Sequence, residues 1–432
     1  MSFTIGVRRE DKNEWEKRVP ITPEHVAELI EKFDIKTVVQ PSNIRAFSDD
    51  DYRKIGASIN EDLSNSNVVY AVKEIPINFF KPGKTYVFFA HVIKGQRYNM
   101  PMLKKMMELG CNLIDYEKIV DEHGRRLVFF GRYAGLAGMT DALWAYGQRI
   151  KLRGLNSPIC EIKQTIRYGR LSEIKKHLVE IGDKINSDGL QKEISPLVVG
   201  FAGYGNVSRG AQEILDILPV EEIAPMELDS IKCEYSNNVI YKVVFKEENM
   251  VERLDSKADF NLKHYYNNPE KYKSVFHKYI PYLSILMNCI YWDKRYPRLV
   301  TKDFIKKNYN KKFKLQVIGD ISVDLNGAIE FTQKTTTPGN PAFVYNPSND
   351  DIIDGYSGEG IAVIAVDNLP CELPRDSSKA FSDTLIRFIP AIAKADFSVD
   401  FDALELPPEI KKAVILYHGK LTPDYKYMNK FL

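Results

Sequence analysis

The segment from Gly200 to Gly210, GFAGYGNVSRG, constrains the fold of this chain more than any other stretch. An apolar run, Pro196–Gly200, precedes the glycines and an amphipathic stretch, Ala211–Leu218, follows them. Glycine permits a tight turn between strand and helix, and the N–H groups at a helix N-terminus attract anions. The pattern predicts a parallel α/β unit whose turn binds the pyrophosphate of a dinucleotide, with a plain strand–turn–helix as the alternative.

The turn also bears on the choice of cofactor. Ser208 replaces the usual third glycine and is still small enough for close packing. The next predicted strand, Glu221–Ala224, runs into Pro225 and lacks the carboxylate that normally binds the ribose of NAD. Arg209 could instead meet a 2′-phosphate, so the sequence favours NADP(H) over NAD(H); a merely solvated Arg209 is the alternative. The residues predicted to lie along the cofactor in this turn are Gly203, Tyr204, Gly205, Asn206, Val207, Ser208 and Arg209.

Two ionisable residues follow predicted buried strands in the first part of the chain. Lys73 comes after Val68–Val72, and His91 comes after Tyr86–Ala90. The carboxyl ends of adjacent parallel strands meet at one edge of a sheet, so both side chains are expected in the same crevice. A lysine with a lowered pKa and a histidine can both act as acid or base. A solvated lysine and a structural histidine are the alternatives.

Arginines mark the second candidate feature of this region. Arg18 and the pair Arg125–Arg126 could clamp carboxylates, because the guanidinium group offers two parallel donors. Ordinary surface charge is the alternative for each of them taken alone. Arg125–Phe130 is predicted to be a strand, and Ser377–Lys394 a helix.

Length and composition limit the classes of protein that remain. A chain of 432 residues predicts two or three domains. The net charge of +2 does not favour binding to nucleic acid or anionic lipid. No apolar run reaches the roughly 18–20 residues of a membrane helix, and the N-terminal segment is too charged for a signal peptide. Five scattered cysteines fit a reducing cytoplasm and argue against structural zinc, so we expect no metal.

Taken together, several motifs resemble one enzyme family. They are EKRVPITPEHV, YAVKEIP, FFAH, RRLVFFGRYAGLAGM, GYGNVSRGAQEIL, GDISVD and VDNLPCELPRD. In this order they resemble the lysine–2-oxoglutarate reductases, the lysine-forming saccharopine dehydrogenases. The animal and plant branch is the more similar, and alanine dehydrogenase and the transhydrogenase subunit are distant relatives. The resemblance extends from residue 3 to about residue 430.

The resemblance implies roles for individual residues. Lys73 and His91 fall at the acid/base pair, and Glu74 and Glu117 at the charged neighbours that tune it. Substrate positions are matched by Arg18, Gln96, Arg126 and Phe130. Besides the glycine turn, the cofactor and the cleft are matched by Arg125, Tyr291, Asp320, Ile321, Ser322, Val366, Asp367, Asn368 and Leu369.

The resemblance also implies an α/β fold with two Rossmann-like domains and a cleft between them. The expected substrate domain comprises residues 1–132 and 330–432, and the expected dinucleotide domain comprises residues 133–329. A polar, tyrosine-rich stretch at 226–280 is expected to be an insertion on the second domain.

The activity that the resemblance implies is the reductive condensation of lysine with 2-oxoglutarate to saccharopine, and its reverse, with a nicotinamide cofactor and no metal. An alanine dehydrogenase-like amino-acid dehydrogenase and a non-catalytic metabolite sensor are the alternatives. The expected partners are these small molecules, and a homodimer is left open. Because one glycine turn and one acid/base pair are present, we expect a separate enzyme to consume the saccharopine.

Overall fold

The computed structural model describes residues 3–255, 258–310 and 313–432. The chain divides into two compact units. The first contains Met1–Phe130 and Pro374–Leu432, and the second contains Gly131–Leu373. The chain therefore returns to the first unit at Pro374. The sequence had suggested a return near residue 330. The return comes later because strands between Ala342 and Ile364 extend the sheet of the second unit.

Strands and helices alternate along much of the chain. The strands are β1 (Phe3–Val7), β2 (Ile35–Val39), β3 (Ser58–Ile59), β4 (Val68–Tyr70), β5 (Thr85–Phe88), β6 (Asn112–Asp115), β7 (Leu197–Ala202), β8 (Val220–Glu222), β9 (Ile240–Phe245), β10 (Val251–Arg253), β11 (Tyr272–Ser274), β12 (Ile285–Asn288), β13 (Val317–Asp320), β14 (Ala342–Asn346), β15 (Asp351–Asp354), β16 (Ile361–Ile364), β17 (Val414–Tyr417) and β18 (Lys420–Leu421). The α-helices are α1 (Pro23–Phe33), α2 (Asp49–Arg53), α3 (Met100–Glu108), α4 (Gly131–Leu152), α5 (Leu171–Asp188), α6 (Asn206–Leu215), α7 (Glu247–Met250), α8 (Leu262–Asn267), α9 (Lys302–Asn308), α10 (Pro374–Leu385), α11 (Ile389–Lys394) and α12 (Pro408–Lys411).

The first unit is built on a sheet of order β18-β17-β6-β5-β4-β1-β2-β3. The six strands from β6 to β3 run parallel. At one edge, β17 pairs antiparallel with β6, and β18 pairs antiparallel with β17. The central strands β4 and β5 are buried along their whole length, as expected for parallel strands covered on both faces. Strands β1, β4, β5 and β6 therefore end at the same edge of the sheet.

The second unit is built on a sheet of order β15-β14-β16-β13-β12-β7-β9-β8. The strands from β16 to β8 run parallel, β14 pairs antiparallel with β16, and β15 pairs antiparallel with β14. A separate hairpin is formed by β10 and β11. Every position in β7 is buried, so the strand before the glycine turn lies inside the sheet as predicted.

Local sequence explains several helix boundaries. Thr22 is extended and Pro23 occupies the first turn of α1, where the missing N–H of proline costs no helical hydrogen bond. Ser48 accepts a hydrogen bond from the backbone of Asp51 and starts α2 as a complete capping box. The sequence prediction of one helix over 377–394 is wrong in detail. The structure has two helices there: α10 ends at Leu385, and α11 begins at Ile389 with a proline in its first turn.

The predicted strand Arg125–Phe130 is also wrong. Only an isolated bridge between Val120 and Arg126 forms there. The side chain of Asp121 accepts hydrogen bonds from the backbone N–H and from Nε of Arg125, so this segment is held by a local turn instead. A short apolar run such as Leu127–Phe130 does not form a strand by itself where no neighbouring strand is available to pair.

Helices α4 and α6 pack with their backbones in contact. A Cβ added at Gly135 would lie 2.0 Å from the carbonyl oxygen of Val207, and one added at Gly210 would lie 2.1 Å from that of Arg132. Only glycine fits at either position. The contact fixes where α6 begins, and therefore where the glycine turn lies in the second unit.

Candidate active site

The first candidate site lies at the carboxyl edge of the first sheet. Register pairs bring Val7 beside Tyr70 and Tyr70 beside Val87, so the segments that follow β1, β4 and β5 are neighbours. These segments carry Glu10, Lys73 with Glu74, and His91. The predicted proximity of the residues that follow β4 and β5 is therefore observed within this unit.

His91 and Glu74 form the central pair of this edge. Nδ1 of His91 lies 2.6 Å from Oε1 of Glu74, and Nζ of Lys12 lies 3.1 Å from the other carboxylate oxygen. His91 has a φ of 48°, a left-handed backbone conformation that few residues adopt. The side-chain amide of Asn99 donates to the carbonyl oxygens of Ala90 and His91, which holds this strained segment in place.

The environment of Glu74 keeps it charged. Burial favours the neutral acid, but the hydrogen bond and the positive charge available from His91, together with Lys12, lower the pKa of Glu74 below its ordinary value. The carboxylate can therefore fix the ring orientation of His91 through Nδ1. This is the arrangement of a base with an orienting acid.

Lys73 lies next to this pair in the sequence and is half-buried. Burial lowers the pKa of Lys73, and the positive charge of Arg18 lowers it further, although Glu16 opposes the shift. A lysine amine with a lowered pKa can accept a proton nearer to neutral pH than a solvated lysine can. This is the property that the predicted acid/base role requires.

Glu10 is a residue of this edge that sequence reasoning missed. It is buried, and its two carboxylate oxygens accept hydrogen bonds from the backbone N–H groups of Val72 (2.6 Å) and Lys73 (3.0 Å). Burial and the nearby Glu16 raise the pKa of Glu10 to about 7. The carboxylate thus fixes the backbone that carries Lys73. Its position shortly after β1 was the signal that could have identified it.

Arg18 is held by a partner that the sequence interpretation did not name. Its Nε and its terminal amine donate to the two oxygens of Glu16 over 2.7 and 2.6 Å, and both side chains are buried. The guanidinium carbon lies 4.2 Å from the centre of the Phe130 ring. The planar fork is therefore fixed on one side by a carboxylate and on one face by an aromatic ring.

Aromatic rings connect Arg18 with His91. The ring of Phe130 stacks on that of Phe381 at 4.6 Å, and the ring of Phe89 lies 6.1 Å from Phe130 and 6.0 Å from His91. Phe89 and Phe381 were not predicted as site residues. They form the apolar wall that places the arginine and the histidine on one side of the sheet edge.

The remaining predicted residues of this unit are more exposed. Arg126 donates to Glu117 over 2.8 Å, so these two predicted residues contact each other. Arg125 pairs with Asp121, and its side chain is 75% exposed. The side chain of Gln96 accepts from the backbone of Lys94 and lies on the segment that follows His91.

A second candidate site lies at the carboxyl edge of the second sheet. Strands β7, β12, β13 and β16 are parallel neighbours, so the segments that follow them meet at this edge. The predicted residues on these segments are Gly203, Tyr204, Gly205, Asn206, Val207, Ser208, Arg209, Tyr291, Asp320, Ile321, Ser322, Val366, Asp367, Asn368 and Leu369. The dinucleotide-type turn therefore stands where a parallel sheet normally binds its ligand.

The glycine turn has the geometry that its sequence predicted. Gly203 has a φ of 93°, which an L residue rarely adopts, and the space beside Gly205 is open. Helix α6 begins at Asn206, so its first N–H groups face the turn. Ser208 is buried and accepts a hydrogen bond from Gln212, and the close approach to α4 is made at Gly210 instead.

Asp320 has a structural role inside the second unit. Thr332 and Asn288 donate to its carboxylate over 2.6 and 2.8 Å, and burial raises the pKa of Asp320 to about 6. The neighbouring Ser322 donates to the carbonyl oxygen of Ile290. These bonds tie the ends of β12 and β13 together and position the segment that carries Tyr291.

A cavity of about 270 Å³ opens beside the glycine turn. Its wall contains two glycines of the turn, five tyrosines, one carboxylate and three other side chains: Gly203, Tyr204, Gly205, Glu247, Met250, Tyr265, Tyr266, Cys289, Ile290, Tyr291 and Tyr296. Arg209 is exposed and is not part of this wall.

The strand beside the glycine turn is not the one that the sequence had suggested. The sequence interpretation took the strand near Glu221–Ala224 as the neighbour of β7, but β8 pairs only with β9, and β9 lies between β8 and β7. The stretch 226–280, expected to be an insertion, therefore contributes an internal strand of the sheet, β9, which lies between β7 and the edge strand β8. The absence of a carboxylate after β8 is consequently no argument for NADP(H).

Membrane-spanning helices and metal clusters are both absent from the described ranges. None of the helices within residues 3–255, 258–310 and 313–432 is both long and apolar enough to cross a membrane. Within the same ranges, His, Cys, Asp and Glu side chains form no group of three or more suited to a metal ion.

The two parallel sheets and the dinucleotide-type turn define an α/β protein of the alanine dehydrogenase-like class. Two family models match the sequence: "Alanine dehydrogenase/PNT, N-terminal domain" over residues 6–137 and "Alanine dehydrogenase/PNT, C-terminal domain" over residues 246–424. A solved structure of L-alanine dehydrogenase covers 99% of this chain and 100% of its own, with a TM-score of 0.59 at 16% identity. The chain belongs to the alanine dehydrogenase/PNT family.

Curated relatives point to one branch of that family. Alpha-aminoadipic semialdehyde synthase of Arabidopsis thaliana is 37% identical over 98% of this chain, and the mitochondrial protein of that name from Mus musculus is 34% identical over 99%. This chain covers 41% and 47% of those proteins, less than half of their length. A "Saccharopine dehydrogenase [NAD(+), L-lysine-forming]" of Emericella nidulans is 27% identical, with 89% of this chain and 91% of the relative covered.

Proposed function

We propose that this chain is a nicotinamide-dependent oxidoreductase that condenses lysine with 2-oxoglutarate to give saccharopine, and that also runs the reverse reaction. The observation that carries the proposal is the group Lys73, Glu74 and His91 at adjacent strand ends, beside the fixed fork of Arg18. The similarity to saccharopine-forming and semialdehyde synthase relatives supports the choice of substrates.

The second unit fits a dinucleotide. Gly203 and Gly205 leave room for a backbone cradle, and the first N–H groups of α6 supply partial positive charge for a pyrophosphate. When bound, the cofactor supplies the hydride for the reduction. The segments after β12, β13 and β16 complete the same sheet edge.

The residues of the first unit would move the protons. The ε-amine of lysine adds to the keto carbon of 2-oxoglutarate, and we assign Lys73 to accept the amine proton. His91, oriented by Glu74, protonates the carbonyl oxygen to give a carbinolamine. A second proton, which His91 takes up from solvent and passes on, lets the hydroxyl leave as water. The nitrogen lone pair then forms the C=N bond of a protonated imine, which accepts the hydride. The two assignments are open to exchange.

Arginines would bind the substrate carboxylates. Arg18 has its guanidinium plane fixed by Glu16 and Phe130, so it loses little freedom when it binds. Arg126 is about half-exposed beside Glu117 and can turn toward a ligand. Clamping both substrates brings amine and carbonyl together, which supplies part of the rate enhancement.

The test is to follow oxidation of NADH and NADPH with lysine and 2-oxoglutarate, omitting each substrate in turn, with product identified by mass spectrometry. Saccharopine that forms only when both substrates are present supports the proposal. Replacing lysine by ammonia is the critical control, because reduction of a 2-oxo acid with ammonia would indicate an alanine dehydrogenase-like reaction instead. The sequence-based expectation of a cytoplasmic protein can be examined separately by fractionation.

A further inference from the structure

Strand β9 brings its carboxyl end directly beside the glycine turn. Its register with β7 runs in step from Leu197 with Ile240 to Ala202 with Phe245, so both strands end at the same level. The N–H of Gly203 donates to the carbonyl oxygen of Phe245 over 3.0 Å. Strand β9 therefore occupies the position from which an α/β dinucleotide fold normally reaches the adenosine ribose.

Two residues after this strand, Glu247 contributes a carboxylate to the wall of the cavity. Glu247 begins α7, is half-buried, and shares the cavity wall with Gly203 and Gly205. The adjacent Glu248 is exposed and is not part of that wall. Because α7 begins at Glu247, the side chain of this residue lines the cavity and that of Glu248 does not.

A tyrosine orients Glu247. The hydroxyl of Tyr266 donates to its Oε1 over 2.6 Å. Tyr204 of the glycine turn lines the same cavity, and burial together with the charge of Glu247 raises the pKa of the Tyr204 hydroxyl. Tyr266 is a neutral donor, so it fixes the position of the carboxylate without removing its negative charge.

Positive charge is missing from the cavity wall. Among the described residues that line it, none is Lys, Arg or His. Arg209, which the sequence suggested for a 2′-phosphate, lies outside it and is exposed. A phosphate dianion placed here would meet a carboxylate without a compensating cation, and such like-charge contacts are strongly unfavourable.

We propose that Glu247 selects NAD(H) over NADP(H) by accepting hydrogen bonds from the ribose hydroxyls of the cofactor and by repelling a 2′-phosphate. The proposal rests on the dinucleotide site of the proposed function and replaces the preference for NADP(H) that Arg209 had suggested. Helix α8, which carries Tyr266, belongs to the stretch expected to be an insertion. That stretch therefore supplies both the acid and one of its hydrogen-bond donors.

The experiment measures binding without substrates or turnover. Dissociation constants of NADH and NADPH are obtained from the fluorescence of the reduced nicotinamide for the wild-type chain. Competition with 5′-ADP and 2′,5′-ADP then probes the ribose site alone. We expect NADH to bind about tenfold or more tightly than NADPH, and 5′-ADP to compete better than 2′,5′-ADP.

Variants identify the residue responsible. Glu247→Gln and Glu247→Ser should bring the two dissociation constants to within a few-fold of each other, mainly by strengthening NADPH binding. Glu248→Gln removes one negative charge from the next residue and should leave the ratio unchanged. Tyr266→Phe should weaken NADH binding by a smaller factor, because the carboxylate keeps its charge but loses a donor.

The possible outcomes distinguish a failure of the Glu247 assignment from a failure of the proposed saccharopine-forming reaction. A wild-type preference for NADPH, or an unchanged ratio in Glu247→Gln, overturns the assignment of Glu247 even if saccharopine is formed. Tight NADH binding without lysine-dependent turnover supports the assignment and overturns the proposed reaction. If neither cofactor binds, both proposals are wrong.

Discussion

Nδ1 of His91 lies 2.6 Å from Oε1 of Glu74, and this contact links two strand ends that lie side by side in the first sheet. The carboxylate contacts Nδ1 of the ring, so the other ring nitrogen, Nε2, points in a defined direction. His91→Ala should lower kcat by roughly 10²–10⁴-fold with little change in thermal stability. Glu74→Gln keeps the shape but not the charge and should give a smaller loss. Steady-state rates with saturating substrates measure both, and a near-normal rate for His91→Ala would remove it from the mechanism.

Lys73 is expected to act as the second acid/base group. Lys73→Met removes the amine and should also lower kcat by roughly 10²–10⁴-fold. Lys12→Met is the matched control, because Lys12 pairs with the same Glu74 and is more exposed. If Lys12→Met is as slow as Lys73→Met, loss of charge near Glu74 explains the effect and Lys73 has no separate role.

The neighbouring arginines offer a test of substrate binding. Arg126→Ala should weaken the binding of one substrate, lysine or 2-oxoglutarate, and raise its KM by about tenfold. The unfolding midpoint should stay unchanged, since an exposed pair such as Arg126–Glu117 contributes little to stability. Arg125→Ala removes the same charge one residue away, where it pairs with Asp121. If both variants raise the KM equally, only the local charge matters.

Stability should depend on pH through the buried carboxyl group of Asp115. Burial and the nearby Glu117 raise the pKa of Asp115 to about 8. A raised pKa means that the folded protein holds this proton more tightly than the unfolded chain, so stability falls as the pH rises from about 4 to about 8. Asp115→Asn cannot lose the proton. Its unfolding midpoint should fall less than that of the wild type over this range, and parallel curves would exclude Asp115 as the cause.

The glycine contact between α4 and α6 predicts a large effect on stability. Gly135→Ala places a Cβ 2.0 Å from the carbonyl oxygen of Val207, and the overlap should cost about 3 kcal/mol in urea denaturation. Gly182→Ala is the same change in α5, where the nearest atoms are 3.4 Å away. That variant should be as stable as the wild type or slightly more so, because alanine favours helix. A stable Gly135→Ala variant would show that the helices can separate.

The sequence predicted those parts of the fold whose signals are local. The strand–turn–helix from β7 to α6 follows from an apolar run, the placement of the glycines and an amphipathic stretch. Strand order could not be predicted in this way, because β8 is three residues long and the neighbours of β8 and β9 are decided by the whole sheet. The site followed the same division. Lys73 and His91 could be proposed from strand ends in the sequence, whereas Glu247 could be proposed only once the structure showed that β9 adjoins β7.

Positioning residues were missed for a related reason. Glu10 and Glu16 act on Lys73 and Arg18 through hydrogen bonds that only the folded chain reveals. A charged residue in a polar stretch looks solvated until burial is known. Sequence reasoning therefore proposes candidate reacting groups more readily than it proposes the residues that hold them in place.

The paired glycines of α4 and α6 limit how this chain can be recombined with its relatives. A chimera that takes one of the two helices from a homologue with alanine or serine at either position would force a methyl group into the opposite backbone. The stretch from Gly131 to Leu215 must then be exchanged as a single block. Productive crossover points for domain shuffling should fall before α4 or after α6, and libraries that recombine between them should be depleted of folded members.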